Sequence, residues 1–350
     1  MKILHIIFSI LPGGSESMLV DIVNEQSLRG DNIELLIINS LVDKNLTDKI
    51  SERVTLTKFN RQPGKSPLLL MIKLNWFIMN RNPDVIHVHN FKIPRLIKVL
   101  RDRIIFTIHS PQTPLKYAKG IKLAAISQGV YDYVVSELPN AEIRIVPNGI
   151  CMDTVEQRSP GYPIHNPIRI IEVARLDSSI KGQDILIKSI AELKMRGINS
   201  TINFIGIGPD KEKLHELAIE LGVSDQIAFD GLIPRQEIYS RLKNFDIMCH
   251  PSRYEGFGLT AAEGAAAGLP LVVTEGDGPW EIADRGHLCY SFPIEDHVRC
   301  ADAIQQIAQN YQKSLELAGE CRAFVEKHFS IANTVNCYNQ YYQDFCIRNH

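Results

Sequence analysis

No stretch of the 350-residue chain reaches the roughly 18 apolar residues that a membrane span requires. The nearest approach, Leu68 to Met79, is broken by Lys73 and Asn75. It reads as a core helix, with partial insertion into a membrane surface as the sharper alternative. Cysteine is sparse and unpaired in pattern. Cys151, Cys249, Cys289, Cys300, Cys321, Cys337 and Cys346 are odd in number and hold no C-x-x-C pair, which argues for reduced thiols in the cytosol over a disulfide framework. The opening MKILHIIFSIL lacks a small-residue cleavage pattern, has a single Lys before it and a Pro-Gly-Gly turn after it, and so reads as a first buried strand instead of a secretory signal. Low-complexity tracts and nucleic-acid-binding modules are absent as well.

Charge of one sign is scarce overall but not evenly spread. The formal net charge is −2. Residues 1–166 hold 20 Lys and Arg against 15 Asp and Glu, a balance of +5, and the remainder hold 18 against 25, a balance of −7. The excess gathers at Lys92, Arg95, Lys98, Arg101, Arg103, Lys116, Lys119 and Lys122, with only Asp102 among them in opposition. Such a patch suits an anionic partner, namely membrane headgroups or a lipid-diphosphate acceptor, and its plain alternative is a solvated helix face. Peripheral attachment is the most that the sequence allows.

What the chain does have is an ordinary globular composition, 45% hydrophobic, at a length beyond the ~250 to 300 residues where single cores stop growing. Two domains are expected. Short apolar runs at Ile3–Ile10, Ile33–Ile38, Val85–Val88, Ile104–Ile108, Leu123–Ala125 and Ile143–Val146 alternate with helical patterns. After a Pro-rich polar stretch, Arg158–Pro167, the rhythm restarts at Ile168–Val173, Ile202–Ile205, Ile227–Phe229, Ile247–His250 and Leu271–Val273. That alternation implies parallel strands joined by helices, α/β in class, and two doubly wound sheets whose strand ends would share a ligand cleft.

The most informative stretch is Glu255-Gly256-Phe257-Gly258-Leu259-Thr260-Ala261-Ala262-Glu263. A helix predicted over 257–267 would aim its unpartnered first amides at an anion, and Gly256 and Gly258 would leave the approach open. Eight positions at roughly 100° each bring Glu263 to about 80° from Glu255, two turns deeper, so both carboxylates flank the helix tip and can accept hydrogen bonds from sugar hydroxyls. Upstream, Arg175 ends a strand and Lys181 is predicted to begin the next helix, a forked and a compact cation for phosphate oxygens; alone, each is equally an ordinary strand-end or first-turn charge. Gly13 and Gly14 follow the first strand, where their backbone can approach a phosphate or sugar, or simply make a tight turn. His109, at the end of its strand, can donate to a sugar or orient an acceptor hydroxyl, its bland role being a satisfied strand-end imidazole. His87 and His89 share a strand face, and without a carboxylate or Cys at ligand spacing they favour packing or hydrogen bonding over a metal. Gly206-Ile207-Gly208-Pro209 falls short of a dinucleotide fingerprint, since Lys211 stands where the third glycine belongs.

The segment SRYEGFGLTAAEGAAAGLPLVVT resembles the E-x7-E signature of the retaining nucleotide-sugar glycosyltransferases of family 4, whose fold is the two-Rossmann-domain GT-B arrangement. IAFDGLIPRQEIYSRLKNFDIMCHPS, EVARLDSSIKGQDILIKSI, VPNGICMD, PGGSES and HFSIANTVNCYNQYYQDF are similar to the segments that accompany that signature, so the resemblance covers most of the chain and thins between about Ile33 and Asn82. It implies an acceptor-binding domain over 1–160, a nucleotide-sugar domain over 168–330 and a closing helix, 331–346, packing back on the first. It implies that Glu255 contacts hydroxyls of the transferred sugar, Glu263 the ribose, and His109 the donor sugar. Gly13, Gly14, Arg175, Lys181, Gly206, Gly256, Phe257, Gly258 and Leu259 would complete the donor site. The Gly231–Arg235 loop, with Ile233, would read the base through its backbone, uridine being favoured. Asp277, Gly278, Pro279 and Glu281 would close on the donor, with Trp280 where a smaller residue is usual. The activity implied is transfer of a hexose, with retention by front-face attack and without metal or other cofactor, to a hydroxyl of a glycan or lipid-linked glycan in cell-surface polysaccharide synthesis, on the cytoplasmic side of the membrane. The basic residues Lys92, Arg95, Lys98, Arg101, Lys116 and Lys119 would give peripheral contact with an anionic membrane. A sugar-nucleotide epimerase and a non-catalytic sugar-nucleotide-binding protein remain as alternatives.

Overall fold

Continuous β-branched runs, buried on both faces, form two separate parallel sheets, because only strands covered by helices on each side can afford no polar face. The computed structural model describes residues 1–64, 67–159, 161–276 and 278–348, with side chains through residue 344. Asp277 and the side chain of Cys346 therefore lie outside the described residues.

The chain divides into two compact units, Met1–Gly149 with Ile331–His350, and Ile150–Ser330. In the first, β1 (Lys2–Ile7), β2 (Asn32–Asn39), β3 (Thr55–Arg61), β4 (Val85–Val88), β5 (Ile104–Ile108), β6 (Lys122–Ala125) and β7 (Ile143–Ile145) lie in the order β3-β2-β1-β4-β5-β6-β7. In the second, β8 (Ile168–Val173), β9 (Ser200–Ile205), β10 (Ile227–Gly231), β11 (Ile247–His250), β12 (Leu271–Thr274) and β13 (Tyr290–Phe292) lie in the order β10-β9-β8-β11-β12-β13. Every pairing is parallel, so each connection crosses a sheet face, and the strand order reverses beside β1 and β4 and again beside β8 and β11. Those reversals leave crevices at the carboxyl ends, which is where open α/β sheets take ligands.

The core of the second unit gathers Ile170, Ile202, Phe204, Ile247, Val272 and Phe292 from the sheet and Leu186, Ile190 and Ile304 from its helices. Each such side chain contributes about 1.5 to 3 kcal/mol relative to exposure. The Arg158–Pro167 stretch is tied into this unit. Arg158, only 2% exposed, pairs with Asp246 at 2.8 Å, and Ile150 bridges to Ser330, so the division falls at Gly149 and not within the Pro-rich segment.

Four local expectations need correction. Leu68–Met79 does form a helix, Pro67–Arg81, but it is not a core helix: Leu70, Leu74, Phe77 and Ile78 are buried while Leu68, Leu69, Ile72, Trp76 and Met79 are exposed. The first strand stops at Ile7, and Ile10 makes only an isolated bridge to Val42. The helix of the glutamate segment runs Leu259–Ala266, because Gly258 at φ 90° sits in the left-handed region and caps it. Lys181 ends a one-turn helix, Ser178–Lys181, instead of beginning a long one, since Gly182 turns the chain before Gln183–Met195 starts.

Candidate active site

The second unit's site is built by loops leaving β8 and β11, the two strands that flank its reversal. Leu176 N donates to Ile207 O at 3.2 Å and Asp210 N to Leu176 O at 3.1 Å, which joins the loop after β8 to the one after β9. Asp210 Oδ2 then accepts from Ser178 N at 2.7 Å and from its hydroxyl at 2.6 Å, fixing the start of the one-turn helix. Gly182, at φ 71°, lets that turn press on the loop after β11: a Cβ there would lie 2.0 Å from the Pro251 carbonyl oxygen. Arg253 N and Tyr254 N both donate to Ile180 O, at 2.8 and 3.2 Å. The consequence is that Lys181 meets Glu255.

The Lys181 ammonium donates to Glu255 Oε2, with both side chains about one-fifth exposed. Burial alone would discourage ionisation of Glu255, but the neighbouring Lys181 charge overcomes it and holds the carboxyl below its usual range. His250 lies behind, its Nε2 3.9 Å from Glu255 Oε2 and its Nδ1 3.0 Å from the Ser252 hydroxyl. Burial pushes its imidazole down to about 4, so it is neutral at physiological pH. Arg175 is exposed at the end of β8. Its carbonyl accepts from Gln183 Nε2 at 3.1 Å, and the same amide donates to Glu172 Oε1 at 3.0 Å. Glu172 is fully buried in β8, and burial raises its carboxyl well above the ordinary value. Sequence reading missed Glu172, whose place in IRIIEV looks like any polar strand position.

Glu263, only 6% exposed, accepts from the Tyr239 hydroxyl at 2.8 Å and from Arg235 Nε at 3.3 Å. Both partners come from the helix Arg235–Leu242, which follows the loop containing Ile233, and neither was singled out in the sequence. Phe257 is turned inward, edge-on to Phe329 at 5.5 Å, which leaves the backbone of 256–258 as its offering to a ligand. Gly278 N donates to Glu255 O at 3.1 Å, so the segment with Gly278, Pro279, Trp280 and Glu281 lies against the glutamate turn. Gly206 N donates to Gly231 O at 2.8 Å, linking the loops after β9 and β10. Arg175, Lys181, Gly206, Ile233, Glu255 and Glu263 are thus all at the carboxyl end of one sheet.

The first unit carries the remaining candidates. Gly13 is the extended N-cap of the helix Gly14–Leu28, with no side-chain cap hydrogen bond, and the Glu16 carboxylate lies so close that a Cβ on Gly13 would meet its Oε2 at 2.5 Å. His109 follows β5 with both ring nitrogens buried and no protein partner, and burial lowers it to about 4. His87 and His89 are hydrogen-bonded members of a larger group. His87 bonds Thr107 at 2.6 Å and Tyr342 at 2.7 Å, Thr107 bonds Tyr338 at 2.8 Å, and His5 bridges His89 at 3.0 Å and Gln26 at 2.8 Å. Donor nitrogens of His5, His87 and His89 come within 4.8 Å of one another. His5 escaped the sequence reading because its register partner His87 is 82 positions away, and only the β1–β4 pairing brings them together. The helix Ile331–Arg348, which supplies Tyr338 and Tyr342, belongs to this unit. Cys249 and Cys300 sulfurs lie 3.9 Å apart in a weak hydrogen bond with no disulfide, and all six described cysteines are free thiols.

The family model for Glycosyltransferase Family 4 matches residues 12–154, and that for Glycosyl transferases group 1 matches residues 155–323. The chain belongs to the family 4 glycosyltransferases. Among family relatives, a D-inositol 3-phosphate glycosyltransferase of Corynebacterium aurimucosum is 30% identical over 61% of this chain and 52% of its own length. The phosphatidyl-myo-inositol mannosyltransferase of Mycobacterium leprae is 23% identical over 86% and 85%. The match spans about half the length of the first of these. Among solved structures, Anabaena HepE in complex with UDP and glucose superimposes with a TM-score of 0.82 at 21% identity, over 97% of this chain and 99% of that one, a likeness of GT-B fold.

Proposed function

We propose that this family 4 member transfers a hexose from a nucleoside diphosphate sugar to a hydroxyl group. The carrying observation is the contact of Lys181 with Glu255 between the two loops that flank the β8–β11 reversal, with Arg175 on the same loop as Lys181. When the glycosidic bond breaks, the departing diphosphate gains negative charge, and Lys181 and Arg175 are the cations that meet it. Glu255, kept ionised, accepts hydrogen bonds from hydroxyls of the transferred sugar, and Glu263, oriented by Tyr239 and Arg235, accepts from the ribose. His109 holds unpartnered, neutral nitrogens in the first unit and serves the donor sugar or acceptor hydroxyl. Retention is carried by the family resemblance alone, and front-face attack is the form of it that needs no covalent nucleophile, with Lys181 and Arg175 handling the charge.

The donor is read as a uridine diphosphate sugar, by analogy with the UDP complex of HepE. The acceptor is read as a glycan or lipid-linked glycan of cell-surface polysaccharide, met on the cytoplasmic face of the membrane, in keeping with the lipid named for the mycobacterial relative. A thermal-shift panel of uridine and guanosine diphosphates and their sugars tests the donor, since ligand at 100 times its dissociation constant stabilises by about 2.7 kcal/mol. Transfer or slow donor hydrolysis that survives a chelator is expected. Conversion of the donor to an isomer with no acceptor present would instead identify an epimerase, and binding with no turnover a non-catalytic protein.

A further inference from the structure

Arg253 lies in the loop after β11, two positions before Glu255, and its guanidinium makes five hydrogen bonds, one from each of its N–H groups. Nη1 and Nη2 meet Asp184 Oδ1 and Oδ2 end-on at 2.7 and 3.0 Å. Nε and Nη2 meet Glu295 Oε1 and Oε2 side-on, the latter at 2.6 Å, and the second hydrogen of Nη1 goes to the Ser178 carbonyl oxygen. With every donor engaged inside the protein, Arg253 is not a phosphate ligand in the manner of Arg175. What it does is hold other groups in place.

Those groups bracket Lys181. Ser178 begins the one-turn helix Ser178–Lys181, and Asp184 stands in the first turn of the helix Gln183–Met195. Arg253 N also donates to Ile180 O at 2.8 Å, so backbone and side chain both pin this residue to the Lys181 turn, while its own loop carries Glu255. Glu295, the remaining partner, follows β13 and has φ 69°, the left-handed region that residues other than glycine seldom enter unless their surroundings constrain them. A simple ion pair needs one carboxylate. A planar fork that joins a carbonyl and two carboxylates from three segments fixes their relative positions.

We propose that Arg253 is the positioning residue of the donor site, setting the distance between Lys181 and Glu255 by clamping the loops after β8, β11 and β13 together. The inference rests on the reading of Lys181 and Glu255 as donor-site groups, so its test includes one arm that needs no substrate. Lysine keeps the charge but carries three hydrogens on a single nitrogen, and Arg253→Lys therefore loses the fork. In that variant the amides of Lys181, Gly182 and Tyr254, which donate to Asp177 O, Ser178 O and Ile180 O, should exchange with deuterium at least about tenfold faster, with those of β8 unchanged. The kcat should fall at least about tenfold with donor KM changed less than about threefold, as expected when the donor still binds but the cation is misplaced for the charge that develops. Because the effect runs through Lys181, Arg253→Lys should add less than about a twofold loss to Lys181→Met, whereas general damage to the fold would multiply with it. Glu295→Ala removes one arm at a carboxylate 59% exposed, where folding does not depend on it, and should give smaller changes in exchange and kcat of the same sign. Unchanged exchange at Lys181, Gly182 and Tyr254 would overturn the proposal whatever the activity. Full kcat in Arg253→Lys, or multiplying losses in the double variant, would overturn it as well. A native enzyme that transfers no sugar would overturn the proposed function instead, and the exchange measurement would then judge the clamp alone.

Discussion

Nζ of Lys181 donates to Oε2 of Glu255 across 74 positions of sequence, and neither loop could hold its half of that contact alone. Lys181 is both a cation for a leaving phosphate and the group that keeps Glu255 ionised. Lys181→Met should therefore do two things. Removing the cation should lower kcat/KM by about 30-fold to 1000-fold, or about 2 to 4 kcal/mol of transition-state stabilisation. It should also move the acid limb of the pH–rate profile to higher pH, because the largest influence offsetting the burial of Glu255 is then gone and only the interactions with His250 and the Phe257 backbone remain against it. Steady-state kinetics from pH 4.5 to 8 reads both effects, and a variant that loses rate with no shift of the acid limb would show that Lys181 does not set the Glu255 charge.

Legibility in the sequence followed how local each feature's cause was. The run IRIIEV of β8 holds four β-branched residues in six, and its bounds match the strand, whereas TLTKFNR of β3 mixes polar and apolar residues at a sheet edge and YSF of β13 is three residues long, so neither stood out. Glu255 and Glu263 could be named because a long contiguous segment carries them. Tyr239 and Arg235 could not, since their bonds to Glu263 depend on how the helix Arg235–Leu242 is rotated against the glutamate helix. The exposed face of Pro67–Arg81 was hidden for a related reason: two apolar stripes on one helix give the composition of a buried one.

Asp246 carries the heaviest polar load of the second unit. Its carboxylate, fully buried, accepts from Arg158 at 2.8 Å, His165 Nδ1 at 2.9 Å and Arg169 N at 2.8 Å. Asp246→Ala would leave the Arg158 guanidinium buried without its counter-charge, which costs about 3 to 5 kcal/mol. Urea titration should show that loss, together with retained nucleotide affinity at low denaturant, since the group is remote in sequence and bonding from the Lys181 loop. A loss below about 1 kcal/mol would mean that Arg158 finds water or another acceptor.

Stability should fall with acid well before the carboxylates titrate. His5, His109 and His250 are each lowered to about 4 by burial, against 6.5 for a free imidazole. The unfolded chain thus binds more protons than the folded one between those values, so stability is at its full level above about 6.5 and declines as pH drops toward 4, by up to about 1.4 kcal/mol per pH unit for each histidine. Melting temperatures measured from pH 7.5 to 4.5 should descend below about 6.5. His250→Gln should make the descent shallower. A flat profile would show that these rings are hydrated in solution.

Gly182 offers a way to separate backbone strain from active-site geometry. Gly182→Ala forces an alanine to φ 71° and drives its Cβ to within 2.0 Å of the Pro251 carbonyl oxygen, so the turn bearing Lys181 must lift from the loop bearing Glu255. Gly197→Ala imposes nearly the same conformation, φ 74°, but meets nothing within 4 Å. The left-handed penalty, about 1 to 2 kcal/mol, is common to both. Only Gly182→Ala should also lose transfer, by at least about tenfold in kcat/KM, and weaken nucleoside diphosphate binding measured by calorimetry. Equal activity in the two variants, at equal loss of stability, would mean that Lys181 reaches its place without the close approach of Gly182 to Pro251.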